Sequence, residues 1–280
     1  MAIICFGEVL WDCLPAGLFL GGAPYNVAAH LVQLGRSAVP VSALGNDQLG
    51  REVRRRMRLQ EIDDCLVAEV HAPTGTVLVE LQDGQPSYAI VDDVAWDAIP
   101  WTEELAVAAA AAPACIYGSL AQRHSGNRVT LQKTLDACSG RHIFDVNLRP
   151  PWVDRSLVDE LAGRSDLIKL NDGELRLLLD AAADAELADL AAALSQRHGA
   201  VDVCVTAGAQ GAGWMRGGHW HWCDAPQVQV RDAVGAGDSF LAALIDGILS
   251  ERDADAILQS CVRLAAHVAA SDGATPAHPV

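Results

Sequence analysis

The stretch Asp232-Ala233-Val234-Gly235-Ala236-Gly237-Asp238-Ser239-Phe240 carries a small-residue turn straight into an apolar, helix-forming run (Phe240, Leu241, Leu244, Ile245, Ile248, Leu249), with Asp238 at the junction. Backbone N–H groups at a helix start have no partner inside the helix, and the macrodipole adds partial positive charge there. Glycines let an anion approach that backbone with no Cβ in the way. An anion cradle with a carboxylate at its lip has the parts that phosphoryl transfer to a hydroxyl needs: donors for the developing charge and a base for the proton. The same nine residues also fit a plain small-residue loop before a buried helix, and the rest of the chain has to decide between the two.

Outward from this stretch, apolar strand-like runs alternate with helix-like ones. Strands are expected at Ile3–Phe6, Ala38–Ala43, Ala114–Tyr117, His142–Val146, Leu167–Leu170 and Val201–Thr206. Helices are expected at Pro24–Leu34, Leu49–Gln60, Gly126–Cys138, Val158–Gly163, Gly173–Ala182 and Ala188–His198. Many of the strands are continuously apolar, as in a parallel sheet covered on both faces, and the alternation predicts a layered α/β domain. Two segments break the rhythm. Thr76–Gln82 and Pro86–Val91 flank Asp83-Gly84-Gln85 and read as a hairpin with an Asp-Gly turn, while Leu14–Leu20 reads as an irregular apolar stretch leading into Gly21-Gly22. A hairpin inserted into an α/β domain predicts a lid or an interface element. With no internal repeat, low-complexity linker or second foldable segment, one domain over residues 1–280 is expected, with lid elements near 10–22 and 74–95.

Composition narrows the function classes. The 280 residues are 51% hydrophobic, ample for a buried core. No apolar stretch reaches the roughly 18–20 residues needed to span a bilayer. Met1-Ala2-Ile3-Ile4-Cys5-Phe6-Gly7 has no basic region and reads as a first strand, not a signal peptide. Eight scattered cysteines without a Cys-x-x-Cys pair suit a reducing cytoplasmic setting better than a disulfide scaffold. Net charge is −16 and the only lysines are Lys133 and Lys169, which argues against nucleic acid as a partner. The one basic cluster, Arg51, Arg54, Arg55, Arg56 and Arg58, lies at helical spacing beside Glu52 and reads as a solvated face. A bound phosphate must therefore rely on backbone N–H groups, a metal ion and one or two arginines.

A second glycine-led helix lies upstream. Gly21-Gly22-Ala23-Pro24-Tyr25-Asn26 opens it, Val27, Leu31 and Leu34 form a core stripe, and Gly35 suits the position just past its end. Asn26 falls in the first turns, where an amide can donate to and accept from a polyol; it also suits a plain helix-start role.

The pattern at 21–35 and the Asp-x-x-Gly-Ala-Gly-Asp of 232–238 resemble the two signatures of the ribokinase (PfkB-type) family of carbohydrate kinases, in the right order. Four more segments extend the resemblance over nearly the whole chain. Gly7–Asp12 resembles the first-strand exit that brings an aspartate to the sugar. Phe144–Trp152 looks like the Asp-x-Asn-x-Arg segment of the fructokinase-like branch. Asn171-Asp172-Gly173-Glu174 matches the family's Asn-x-x-Glu motif, and Val205–Ala212 resembles its nucleotide-binding Thr-x-Gly-x-x-Gly turn.

The resemblance implies a ribokinase-like three-layer α/β/α domain with a mainly parallel central sheet and a small β lid. It implies Asp238 as general base toward a sugar primary hydroxyl, with the N–H groups of Gly235, Ala236 and Gly237 as the anion hole. Asp12, Gly21, Gly22 and Asn26 would fix the sugar, Asn147 lies in the same substrate segment, and Arg149 would reach phosphate or substrate. Asn171 and Glu174 would hold Mg²⁺ through its water shell. Thr206, Gly208 and Gly211 would line ATP. A monovalent cation, K⁺ in many members, is implied near Asp232 and around Gly273-Ala274.

The chain departs from the family pattern in two places. Ala233 stands where threonine is frequent, removing a hydroxyl beside the cation and anion sites. Asp92 and Asp93 stand near where many fructokinases and ketodeoxygluconate kinases carry an arginine, so a neutral sugar suits the site better than a sugar acid. The expected activity is fructokinase-type phosphorylation. 2-Dehydro-3-deoxygluconate kinase, ribokinase and nucleoside kinase are alternatives, and a non-catalytic sugar- or nucleotide-binding protein is the rival class. The lid hairpin points to a homodimer. His219, His221 and Cys223 would share one strand face, but no further ligand lies at a recognised spacing, so an aromatic strand is the expected reading. P-loop, dinucleotide and Gly-x-Ser-x-Gly motifs are absent.

Overall fold

Alternate side chains of the continuously apolar strands point to opposite faces of one sheet, so each strand needs cover on both sides. Ile4 and Phe6 enter one core while Ile3 and Cys5 enter the other, and Cys115/Tyr117 divide from Ala114/Ile116 in the same way. The computed structural model describes residues 1–14, 17–82, 85–199 and 201–279. In chain order the strands are β1 (Ile3–Phe6), β2 (Leu10–Leu14), β3 (Gly17–Gly21), β4 (Ala38–Gly45), β5 (Val67–Val70), β6 (Gly75–Gln82), β7 (Gln85–Ile90), β8 (Ala114–Gly118), β9 (Arg141–Asp145), β10 (Leu167–Asn171), β11 (Asp202–Thr206), β12 (Gly211–Arg216) and β13 (His219–Asp224). The helices are α1 (Ala23–Gln33), α2 (Gln48–Leu59), α3 (Glu103–Ala111), α4 (Ser125–Ala137), α5 (Arg155–Ala162), α6 (Asp172–Leu179), α7 (Leu187–Arg197), α8 (Ala236–Leu249) and α9 (Ala254–Ala269).

The main sheet has the order β13-β12-β11-β10-β9-β8-β1-β4-β5. It is parallel from β11 to β5, and the β11/β12 and β12/β13 pairs are antiparallel. One face is covered by α3 to α7 and the other by α1, α8 and α9. This is the ribokinase-like α/β architecture expected above. The parallel strands all end at one edge of the sheet. In open α/β sheets that edge is where ligands bind.

The lid is a separate four-stranded sheet, β3-β2-β6-β7. The expectation of an irregular Leu14–Leu20 stretch is corrected for its described part. Gly17–Gly21 is a strand paired antiparallel with β2, Leu10 facing Gly21 and Asp12 facing Phe19. The hydrophobic pattern hid it because the strand is open on both faces, leaving the adjacent Leu18 and Phe19 exposed. Asp83 and Gly84, the expected turn, lie outside the described residues, although β6 and β7 pair as a hairpin up to them.

Arg123 fastens the lid at its base. Its side chain is only 1% exposed. Its Nε and Nη2 meet the two oxygens of Asp97 at 2.7 and 2.6 Å, and Nη2 also donates to the Val91 carbonyl at 2.7 Å, just past β7. The guanidinium lies 4.0 Å from the Trp96 ring centroid and 4.5 Å from that of Trp152. A buried ion pair of this kind is costly to break because the surviving charge stays desolvated. Arg123→Met is expected to cost about 3–5 kcal/mol in urea unfolding, and Arg123→Met/Asp97→Asn to recover much of that. Equal losses in the two variants would show that the stranded charge is not the cause.

Candidate functional site

Two helix starts meet at the carboxyl edge of the sheet. Helix α8 begins after Gly235, whose φ of 79° is left-handed, and Asp238 sits in its first turn. A Cβ at Gly235 would overlap the backbone of Ala274, so glycine is required there on two counts. Ala236 N–H is drawn to the Ala233 carbonyl at 3.3 Å, whereas the N–H groups of Gly235 and Gly237 meet no backbone acceptor among the described residues. The anion hole expected from three N–H groups is thus open at Gly235 and Gly237 and partly committed at Ala236.

Helix α1 begins after Gly22, with Pro24 in its first turn and no side-chain cap of its own. Glu8, at the exit of β1, supplies one: its Oε1 accepts from Ala23 N–H at 3.2 Å. Gly22 has φ 110°, and a Cβ there would run into the Glu8 carbonyl. Asn26 then donates through Nδ2 to Asp238 Oδ2 at 2.8 Å. Its Oδ1 is buried without a partner among the described residues. Asp12 projects from β2 beside Gly21, where a Cβ would come within 2.8 Å of Asp12 Oδ2.

Electrostatics follow from this crowding. Burial pushes Glu8 up to about 7, against backbone hydrogen bonds and the Arg149 charge. Burial likewise raises Asp12 to about 6. Asp238 is also pushed up to about 6 by burial; Lys169, the Asn26 hydrogen bond and Arg149 pull it down, while Asp145 pushes it up. Arg149 stands exposed at the rim and donates to the Leu148 carbonyl at 3.1 Å. Asn147, with φ 41°, lines a small cavity with Glu8, Ser119 and Asp145.

Asn171 and Glu174 form a capping box at the start of α6: Asn171 Oδ1 accepts from Glu174 N–H at 2.8 Å and Glu174 Oε2 from Asn171 N–H at 2.9 Å. Glu174 Oε1 takes the Leu148 N–H at 2.7 Å. With both oxygens engaged and the carboxyl buried, this donor set suits a metal held through water, not direct ligation. Thr206 ends β11, and Gly208 has φ 53° with open space where a Cβ would stand. Gly211 has a structural reason, since a Cβ there would strike the Cys223 carbonyl on β13. Asp232 and Ala274 come together around Gly235. Asp232 Oδ1 accepts from Val234 N–H at 3.0 Å, and the Ala274 carbonyl from His30 Nε2 at 2.9 Å.

Three features escaped the sequence reading. Glu8 was quoted in a motif without a role. Lys169 and Asp145 form a buried ion pair at 3.0 and 3.2 Å on neighbouring strands; a charged residue inside the apolar Leu167–Asn171 run was the signal for it. Asp92 lies 2.9 Å from His124 Nε2 and 3.4 Å from Arg123, a guanidinium it shares with Asp97, so its charge is partly opposed within the lid base. The aromatic-strand reading of β13 holds: Trp220 and Trp222 stack, and His221 pairs with Asp255.

Comparison with known proteins adds independent information. The family described as pfkB family carbohydrate kinase matches residues 7–279. The chain is 26% identical to a fructokinase of Rhizobium leguminosarum bv. trifolii over 93% of its own length and 85% of that protein. A sugar kinase of Pyrococcus horikoshii solved in complex with ATP superposes with a TM-score of 0.81 at 24% identity, covering 98% of this chain and 94% of that one. A fructokinase of Vibrio cholerae O395 solved with fructose, ADP and calcium superposes with a TM-score of 0.82 at 21% identity, covering 99% and 95%.

Gly235→Ala is expected to cost about 3 kcal/mol or more, from left-handed strain plus backbone overlap, while Gly208→Ala costs about 1 kcal/mol. Urea unfolding of the two variants checks the contrast, and similar losses would contradict it.

Proposed function

Because the chain belongs to the pfkB family of carbohydrate kinases, we propose that this site transfers the γ-phosphoryl group of ATP to the primary hydroxyl of a small neutral sugar, fructose being the first to test. The observation that carries the reading is the Asn26–Asp238 hydrogen bond. It puts a carboxylate at the lip of an open helix start and in contact with an amide suited to a polyol. Asp238 accepts the hydroxyl proton as the sugar oxygen bonds to phosphorus; the β–γ bridging P–O bond breaks and its electrons leave with ADP. The Gly235 and Gly237 N–H groups receive charge on the transferring group. Asn26 Oδ1, Asp12 and Asn147 orient the sugar, with Gly21 and Gly22 leaving room for it, and Arg149 closes the rim.

Thr206, Gly208 and Gly211 would line the nucleotide. Mg²⁺ would be held through water by Asn171 and Glu174 and would neutralise phosphate charge. A monovalent cation would be held by Asp232 and nearby carbonyls, without a hydroxyl from Ala233. The neutral-sugar choice rests on the carboxyls Glu8, Asp12 and Asp238, which share Arg149 as a neighbouring cation, with Lys169 added at Asp238. A sugar acid would meet net repulsion. The fructokinase names of relatives support the ketose.

We further infer pairing of two copies through the lid. Cys13 stands opposite Leu18 and beside Leu78, and both leucines are exposed, so an apolar row crosses three strands. A monomeric mass in solution would contradict this. Eight free cysteines support a reducing, cytoplasmic setting.

Assayed for ATP consumption against neutral hexoses, pentoses, ketodeoxygluconate and nucleosides, the wild type is expected to prefer fructose. Asp238→Asn should lower kcat about 10³-fold while sugar binding survives. Unchanged turnover would remove Asp238 as the base, and sugar binding without any ATP consumption by the wild type would identify a binding protein. The pH dependence has a definite sign. Asp238 must be ionised to accept a proton, so kcat/KM should fall as pH drops through about 6, the value to which burial raises the carboxyl in the free protein. A kcat/KM profile flat through that region would contradict the assignment.

A further inference from the structure

We infer that Lys169 is the fixed positive charge of the transfer site, a positioning residue whose ammonium backs the anion cradle from beneath Gly237 and bears on Asp238. The inference rests on the kinase reading above and extends it to a residue that the two glycine motifs do not contain.

Three observations carry it. First, Lys169 lies in the interior of β10 and is only 7% exposed. Pairing it with the buried Asp145 of β9 does not by itself favour the fold over an apolar pair, so its presence calls for another reason. Second, the two Asp145 oxygens take two of the ammonium's donors, and the third meets no acceptor among the described residues. Third, a Cβ at Gly237 would stand 3.2 Å from Lys169 Nζ. The ammonium therefore lies where a side chain at position 237 would begin, and glycine is the residue that leaves the space between it and the helix start open.

Charge balance gives the arrangement its purpose. The chain carries −16 overall, and Lys133, its one other lysine, is exposed on α4, far along the chain from any site motif. Asp238 is faced by Asn26 from α1, Lys169 from β10, Asp145 from β9, Arg149 after β9 and Glu8 after β1. Glu174 of α6 faces Lys169. In this carboxylate-rich setting Lys169 is the buried cation. During transfer it exchanges no proton: the proton goes to Asp238 and the bridging electrons go to ADP. Lys169 acts by opposing the negative charge that Asp145, Glu8 and the incoming phosphates bring to Asp238.

Four variants test this against an active wild type: Lys169→Met, Asp145→Asn, the two combined, and Gly237→Ala. Sugar-dependent ATP consumption is followed as a function of pH, alongside thermal unfolding. Lys169→Met should lower kcat about 100-fold with the sugar KM changed less than about threefold. It should move the acid limb of kcat to higher pH. Asp145→Asn should move that limb to lower pH, because the charge offsetting Lys169 is gone. The combined variant, which strands no buried charge, should unfold near the wild-type temperature yet keep the low kcat. Gly237→Ala keeps both members of the ion pair but puts a methyl against the ammonium, which must shift by a few tenths of an ångström, and should lower kcat about tenfold with the fold retained in thermal unfolding.

Wild-type kcat in the combined variant would overturn the inference. So would limbs shifting the same way in both single variants, or unchanged turnover in Gly237→Ala. A wild type that consumes no ATP with any sugar would instead overturn the kinase reading on which the inference stands.

Discussion

The hydrogen bond between Asn26 and Asp238 joins residues 212 positions apart, and the rest of the fold can be understood as what makes that contact possible. Each side chain sits in the first turns of a helix, so both helices must start at the same edge of the sheet with their first turns adjacent. Helices α1 and α8 pack against each other and, with α9, on one face of the sheet. The parallel strands fix which edge receives them. Left-handed backbone at Gly22 and Gly235 then lets each chain segment turn into its helix at close range. Substituting either glycine would displace one partner of the contact before any chemistry was touched.

Bringing these groups together creates a second constraint, an excess of negative charge. Glu8, Asp12, Asp145, Glu174 and Asp238 converge at the strand ends, and burial raises four of them, Glu8, Asp12, Glu174 and Asp238. Two of the carboxyls are put to structural use: Glu8 caps α1, and Glu174 caps α6 while holding the Leu148 N–H. Asp145 is matched by Lys169. That leaves Asp12 and Asp238, the two that the proposed function assigns to substrate. Carboxyls in the same crowded edge thus take different tasks because their hydrogen-bond partners differ.

Much of this was legible in the sequence, for physical reasons that also explain the gaps. Continuous apolar runs exposed the parallel strands, and glycines beside helix starts exposed the two ligand-facing turns. Strand β5 was missed because Val67–Val70 is short, lies at the sheet edge and is interrupted by the exposed Glu69. Helix α9 follows α8 with little punctuation beyond its Asp253 cap, and α3 is an alanine-rich run with few large apolar residues to mark a face. The partners of Lys169 and Glu8 were beyond reach for a different reason, because each contact joins separate segments of the chain. The charge of Lys169 inside an apolar strand signals a buried pair without saying which carboxylate completes it.

The lid base connects these themes to substrate choice. Arg123 holds the Val91 carbonyl at the end of β7, ion-pairs Asp97, and stacks on Trp152 in the segment that carries Asn147 and Arg149. The lid's return strand and the rim arginine are therefore referenced to one buried side chain. Asp92 shares Arg123 with Asp97 and meets His124, so part of the charge of the acidic pair after the lid is opposed within the lid base. In the proposed reading discrimination falls on the inner carboxyls, chiefly Asp12, whose position is set by its β2 register and by the missing side chain of Gly21. A neutral polyol would satisfy that carboxylate by donating hydroxyls, whereas a sugar acid would bring a second negative charge beside it and compete with it for the exposed Arg149.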